Sequence, residues 1–407
     1  MAESHPAQFV AGGFDAAAVT DWLLREARRT IGPGAFLGAL CRRLVAAGLP
    51  LARASFHLRV LHPQLGAESF IWDAAHDTVS AHGFPAENIS SPAFRDSPVR
   101  AIQDGAATIR RRLENAGDDA YPIVRELRAA GFTDYVVMPL AFGDDTVNAV
   151  SWATRRAGGF AVAAIDGLED MMPILALLLE IAVRERIALT VLETYVGRAA
   201  GRRVLAGDIR RGSGQTLRTV IWSSDLRGFT ALSETRPRDV LIEHLNTYFD
   251  CIVDPIHAHG GEVLKFMGDG VLAIFPCEGS DGECGAAKNA LAAAREALDR
   301  LAALNRGDDR PRLETSLALH YGDVMYGNIG AADRLDFTVI GPAVNLVARI
   351  EALCHETGAP LLVSQAFAAV SGLDLPSVGV FQLRGVKRPQ RLYTVPEFAD
   401  PSRDAKH

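Results

Sequence analysis

Two stretches decide the fold: VIWSSDLRGFT (220–230) and GGEVLKFMGDGVLAIFP (260–276). Val220 to Trp222 reads as a buried strand with Asp225 at its end, and Arg227-Gly228-Phe229-Thr230 turns the chain into a helix. Glu262 to Phe266 and Val271 to Phe275 read as two strands of a hairpin. Its turn, Gly268-Asp269-Gly270, has glycine where positive φ is needed. With the strand ends adjacent, Asp225 and Asp269 meet at one point. Two carboxylates beside a Gly-containing turn suit a hard divalent cation and a polyphosphate. Taken singly, a helix cap and an ordinary turn aspartate would explain each; the set of motifs carries the reading.

Outward from this stretch the pattern is strand, helix (238–259), hairpin, helix (285–304) and strand (313–321), the β-α-β-β-α-β order of a ferredoxin-like fold. A further strand pair and helix follow. The stretch LDFTVIGPAVNLVARIE (335–351) enters that helix at Gly341-Pro342, with Pro in the favourable first turn. Asn345 and Arg349 are four residues apart, on one helical face, with Val344, Leu346 and Val347 to either side. An ion pair with Glu351 is the plain alternative for Arg349. FQLRGVKRPQRLYTV (381–395) ends the domain with a basic cluster.

Together these motifs resemble the catalytic domain of class III nucleotidyl cyclases, the adenylate and guanylate cyclases, over residues 215–398. The resemblance implies that Asp225 and Asp269 hold two divalent cations, Mg²⁺ or Mn²⁺, in each active site. It gives the backbone N–H groups of Gly228, Phe229 and Thr230 to the triphosphate, Lys265 and Thr338 to the purine, Asn345 to the ribose and Arg349 to the transferring phosphate. Lys387 is the candidate for a basic triphosphate contact, with Arg384 and Arg388 as rivals. A Lys at position 265 donates to adenine N1, where guanylate cyclases place Glu. The Lys–Thr pair resembles a subgroup of adenylate cyclases, so ATP is the expected substrate. Asp336 shares the face of Thr338 on an extended strand. Ser223 stands where the family has Phe, and Trp222 is expected to fill that space. In the family each site spans two subunits, so a homodimer is implied. Guanylate cyclase, and a non-catalytic protein of degenerate cyclase fold, are the alternatives. The GGDEF-type signature of diguanylate cyclases is absent.

The 407 residues suggest two or three domains. Residues 15–48 read as helices broken at Gly32-Pro33-Gly34. Ala54 to Leu61 and Ser69 to Asp73 read as paired strands. Residues 84–120 are mixed, with turn signals at Asn88–Pro92. Ile123 to Ala130 reads as a helix, and Asp134–Leu140 with Val147–Thr154 as a hairpin turning near Gly143-Asp144-Asp145. A long helix follows from Ile165 to Tyr195, with a stripe of Leu178, Ile181, Ala188, Leu192 and Tyr195 suited either to pairing with a second copy or to packing on its own domain. The pattern resembles a GAF-type sensor, an α/β domain over 1–183. Residues 184–214 form a helical linker whose arginines are solvated, and 399–407 a disordered tail. A small-molecule effector is the expected partner of the N-terminal domain, with a dimerisation scaffold without a ligand as the alternative; no residue there names the ligand.

A net charge of −7 argues against nucleic acid as a partner reached through bulk charge. Cys41, Cys251, Cys277, Cys284 and Cys354 show no CxxC spacing, which fits reduced thiols. No secretory signal or membrane span is legible, and a cytoplasmic protein is expected. His244, His257, His259 and His320 read as packed or surface residues.

Overall fold

The computed structural model describes residues 14–30, 32–60, 65–85, 87, 91–114, 121–277, 282–307, 312–331 and 333–398. The expected turn at 88–90 and the tail at 399–407 lie outside these. The chain divides into two compact units, Met1–Val191 and Leu192–His407.

The first unit contains α1 (Ala16–Arg25), α2 (Pro33–Ala46), β1 (Arg53–Arg59), β2 (Leu65–Asp73), β3 (Thr78–Pro85), α3 (Pro92–Arg95), α4 (Pro98–Gln103), β4 (Ile109–Arg112), α5 (Pro122–Ala129), β5 (Asp134–Ala141), β6 (Val147–Thr154) and most of α6 (Val162–Val196). Its strands form one antiparallel sheet in the order β3-β2-β1-β6-β5-β4. Period-two alternation on β1 sends Ala54, Phe56 and Leu58 into a core shared with α1, α2 and α6. The opposite sheet face packs Tyr135, Val137, Ala149 and Ala153 against α4 and α5. The turn between β5 and β6 falls where the sequence placed it, with Asp145 at φ 62°. The hairpin strand β3 and the edge strand β4 were not anticipated. β3 is exposed or half-exposed along its length, so its sequence carries little apolar alternation.

The second unit adds α7 (Arg198–Leu205), β7 (Gly214–Leu226), α8 (Phe229–Thr235), α9 (Arg238–Ala258), β8 (Glu262–Met267), β9 (Gly270–Pro276), α10 (Gly282–Leu304), β10 (Thr315–Gly330), β11 (Leu335–Ile340), α11 (Pro342–Thr357), β12 (Leu361–Ser364), α12 (Gln365–Ser371), β13 (Ser377–Phe381) and β14 (Gln390–Tyr393). The sheet order is β13-β14-β12-β10-β7-β9-β8, with β11 also paired to β10. β7-α9-β8-β9-α10-β10 is the expected β-α-β-β-α-β series. α9, α10 and α12 cover one face; α7 and α11 cover the other.

Two expectations change here. Trp222 is fully buried but packs with Val220, Tyr248 and Phe275 in the α9–α10 core. Position 223 points to the other face by strand alternation, so Trp222 does not fill the space opened by Ser223. The Gly/Arg-rich segment is also not uniformly solvated: Ala200 is fully buried, and Arg203 lies over the rings of Tyr326 and Phe337. Among the described residues no helix is long and apolar enough to cross a membrane.

Candidate active site

Asp225 is the penultimate residue of β7, where Ser316 on β10 pairs with it and Ser224 pairs with Val271 at the start of β9. The Thr315 hydroxyl donates to the Asp225 carbonyl at 3.0 Å and lies 2.9 Å from the Tyr248 hydroxyl, which fixes the strand end. The β8–β9 turn brings Asp269 alongside. Gly268 takes φ 71° there. A Cβ on Gly270 would come within 3.1 Å of both Asp225 Oδ1 and the Ser224 carbonyl, so a side chain here would push the turn and the strand end apart by a few tenths of an ångström. The carboxyls of Asp225 and Asp269 share a hydrogen bond. Burial, then the neighbouring Asp269 charge, raises Asp225 to about 6. The two aspartates meet as expected.

A third acid faces them. Glu351 on α11 is pushed up to about 7 by burial and by the Asp225 charge, with Asp269 adding and Arg227 opposing. From its spacing on the helix Glu351 offers only a partner for Arg349. Its proximity to Asp225 depends on how α11 crosses β7, which no spacing reveals. Arg227 itself ties the layers: it donates to Ser316 Oγ at 3.1 Å and to the carbonyls of Cys354 and Ala359 at 3.0 Å.

Among the described residues no group of three or more His, Cys, Asp or Glu side chains forms a cluster able to hold a metal ion. The donor set present is still that of Mg²⁺ sites, in which one or two carboxylates act together with substrate phosphates and water. The raised Asp225 marks a concentration of negative charge that a divalent cation would relieve.

Lys265 is half-buried on β8, and β11 lies against β8. Thr338, on β11, is 5 % exposed, and its buried hydroxyl has no hydrogen-bond partner among the described residues. Asp336 is exposed.

The core-facing residues of α11 are Ala343, Val347, Ile350 and Cys354. That spacing leaves Asn345 and Arg349 on the opposite side, in a groove of about 700 Å³ lined also by His320, Asp323 and Lys387. Arg349 forms no ion pair among the described residues, so the Glu351 alternative is not realised. Of the three basic candidates Lys387 lines the groove; Arg384 and Arg388 do not. His320 is packed, within the expectation of a packed or surface residue. It is buried on Ser364 Oγ at 2.7 Å, is lowered to about 4 by burial, and yet also lines this groove. Neither aspartate, Lys265 nor Thr338 lines it. Gly228 and Thr230 are exposed and Phe229 half-exposed at the start of α8.

Residues 215–395 match the family described as the adenylate and guanylate cyclase catalytic domain. This part of the chain is therefore a cyclase catalytic domain of class III. The curated relatives include an adenylate cyclase of Anabaena cylindrica, 32% identical over 178 residues, which are 42% of this chain and 33% of that protein. Adenylate cyclase 1 of Rhizobium meliloti is 32% identical over 149 residues, 36% of this chain and 22% of that protein. The chain thus spans a third or less of the length of these two relatives. Among solved structures, the guanylyl cyclase Cya2 is 32% identical, with 46% of this chain and 96% of that one covered and a TM-score of 0.41. The adenylyl cyclase CyaB from P. aeruginosa is 28% identical, with 47% and 98% covered and a TM-score of 0.41.

Proposed function

We propose that the chain is an adenylate cyclase that converts ATP to 3′,5′-cyclic AMP and pyrophosphate, working as a homodimer under the control of its N-terminal unit. The observation that carries this is the meeting of Asp225 and Asp269 at adjacent strand ends. When bound there, Mg²⁺ or Mn²⁺ would stabilise charge on the attacking 3′-oxygen and on the leaving pyrophosphate. The 3′-oxygen bonds to the α-phosphorus, the bond to the bridging oxygen of the β-phosphate breaks, and the hydroxyl proton leaves to water or a substrate phosphate. Lys265 donates to adenine N1, and the Thr338 hydroxyl, left without a protein partner, accepts from the adenine amino group. Asn345 orients the ribose. Arg349 meets charge on the transferring phosphate with its fixed fork of donors, and Lys387 holds the triphosphate beside it.

The groove around Arg349 lacks both aspartates, which supports a site completed by a second copy. The exposed apolar side chains Phe266, Met267, Met325 and Ile340 on β8, β10 and β11 supply a surface for that copy. So do Ile181, Ala188 and Tyr195, exposed at seven-residue intervals on α6. The likeness of the N-terminal unit to a GAF-type sensor rests on its helix, hairpin and long closing helix. Parallel assays with ATP and GTP, each with Mg²⁺ and Mn²⁺, test the reading: cyclic AMP should dominate. Cyclic GMP as the main product would remove the role given to Lys265, and no product from either nucleotide would favour a non-catalytic protein.

A further inference from the structure

The N-terminal unit contains a cavity of about 490 Å³ between its sheet and helices α3, α4 and α5, within the size range of small-molecule sites. Its walls are mostly apolar, with Leu58, Phe84, Phe94, Val99 and Ile123 among them. On the sheet side Tyr135, His57 and Ser69 line it, and the buried Ser151 and Ser55 join them into a polar row crossing four strands. Tyr135 on β5 bonds to Ser151 on β6. The Ser151 and Ser55 hydroxyls are 2.6 Å apart. His57 lies 3.0 Å from Ser55 Oγ through Nε2 and 2.8 Å from Ser69 Oγ through Nδ1. An apolar face would pack the helices equally well, so a connected polar row here points to a polar occupant.

The charges specify its sign. Burial, then the Arg53 charge, lowers His57 to about 4, so the imidazole is neutral at pH 7. Burial raises Tyr135 to about 12, so the phenol is neutral too. Glu68 is already paired with Arg186 at 2.7 Å. Arg53 lines the cavity close enough for its charge to be felt by both His57 and Tyr135, and no acid among the described residues pairs with it. One unmatched guanidinium above a neutral polar row and between apolar walls fits one carboxylate on an apolar body. A phosphate, with its greater charge, would call for more cations than the cavity lining holds.

We propose that this cavity binds an organic monocarboxylate whose carboxylate pairs with Arg53 and whose apolar body packs among Phe84, Phe94 and Ile123. This deepens the regulatory reading of the N-terminal unit and rests on it only for the consequence of binding. The test is calorimetric titration of the full chain with phenylacetate, 4-methylpentanoate and hexanoate, and with the corresponding neutral amides. At least one acid should bind, with its amide at least about tenfold weaker. Arg53→Met should weaken the acid by a similar factor and leave the amide unchanged, and Arg53→Lys should retain most of the acid's affinity. The acid–amide comparison on the unaltered chain needs no variant to fold. The proposal is overturned if no acid binds, if acid and amide bind alike, or if Arg53→Met binds the acid as the parent does. Cyclase activity of the same preparations reports on the C-terminal unit separately, so failure here leaves the catalytic reading intact.

Discussion

The Tyr326 hydroxyl donates to Glu262 at 3.0 Å, joining β10 to β8 in the cyclase domain. The same carboxylate accepts the backbone N–H groups of Ala199 and Ala200 at the start of α7. One turn later, Arg203 lies 5.6 Å from the ring of Tyr326 and 5.1 Å from that of Phe337. Glu262 thus fastens the helix preceding the cyclase domain to the strand that carries Lys265. Tyr326→Phe keeps the ring and removes one donor, and should lower stability of the C-terminal unit by about 1 kcal/mol. Glu262→Ala strands three donors and should cost about 2–3 kcal/mol. Urea denaturation of both variants checks the order; equal losses would show that the carboxylate does not hold α7.

Asp225 gives a pH dependence whose sign runs against the usual behaviour of paired carboxylates. Its folded-state value, about 6, lies above the ordinary 3.8. Its contribution to stability is therefore complete below the ordinary value and is lost as pH rises through 6. In EDTA at pH 7.5, Asp225→Asn should melt at a higher temperature than the parent chain, and the advantage should vanish near pH 4. Added Mn²⁺ should raise the melting point of the parent and leave the variant unmoved. Activity should fall by at least about 10²–10³-fold. Thermal melts across pH with and without Mn²⁺ measure all three.

Thr338 separates a functional from a structural role. Its buried hydroxyl has no partner among the described residues, so Thr338→Val should leave stability unchanged or raise it by up to about 1 kcal/mol. If the hydroxyl accepts from adenine, kcat/KM for ATP should still fall by about tenfold. A loss of stability with unchanged kinetics would reverse the assignment.

The parts of the site that were legible are those in which the chemistry is local. Asp269 could be placed because Gly268 and Gly270 announce the turn around it, and Asn345 and Arg349 because a four-residue spacing on a helix with an apolar face fixes their direction. Glu351 was invisible, since its place beside Asp225 comes from the packing of α11 over β7. His320 is packed as expected, but a strand histidine looks the same in a core and at the rim of a groove, so its place in the groove lining had no mark in the sequence. The ends of β7 and β10 were read too short. Gly322 and Gly327 interrupt the apolar alternation of β10, yet pairing with β7 continues from Thr315–Leu226 to Gly327–Gly214. In the N-terminal unit the core strands and helices stood out through their apolar period. β3 did not, because an exposed hairpin strand has no face that must be apolar.

His57 gives the N-terminal unit a pH response of the opposite sign to that of Asp225. Its value in the folded protein, about 4, lies below the ordinary 6.5 because its surroundings disfavour the charged ring. Its contribution is fully present above 6.5 and is lost as pH falls toward 4. The melting temperature of this unit should decline between pH 7 and pH 5, and His57→Gln should flatten the decline. An unchanged slope in the variant would assign the acid sensitivity to other groups.

The sharing of each active site between two copies can be tested by mixing two inactive chains. Asp225→Ala removes the proposed cation ligand and leaves the groove around Arg349 intact; Arg349→Ala does the reverse. In a homodimer with two sites, each built from the aspartates of one copy and the groove of the other, a mixed dimer pairs one intact site with one doubly damaged site. Random assortment of equal amounts makes half the dimers mixed, each with one of two sites working. The mixture should recover roughly a quarter of the parent activity, although neither variant alone shows more than a trace. Recovery should follow the slow exchange of subunits and appear faster after unfolding and refolding the two together. If refolded mixtures stay as inactive as the separate variants while remaining dimeric, both residues act within a single copy, and the groove around Arg349 must be assigned another task.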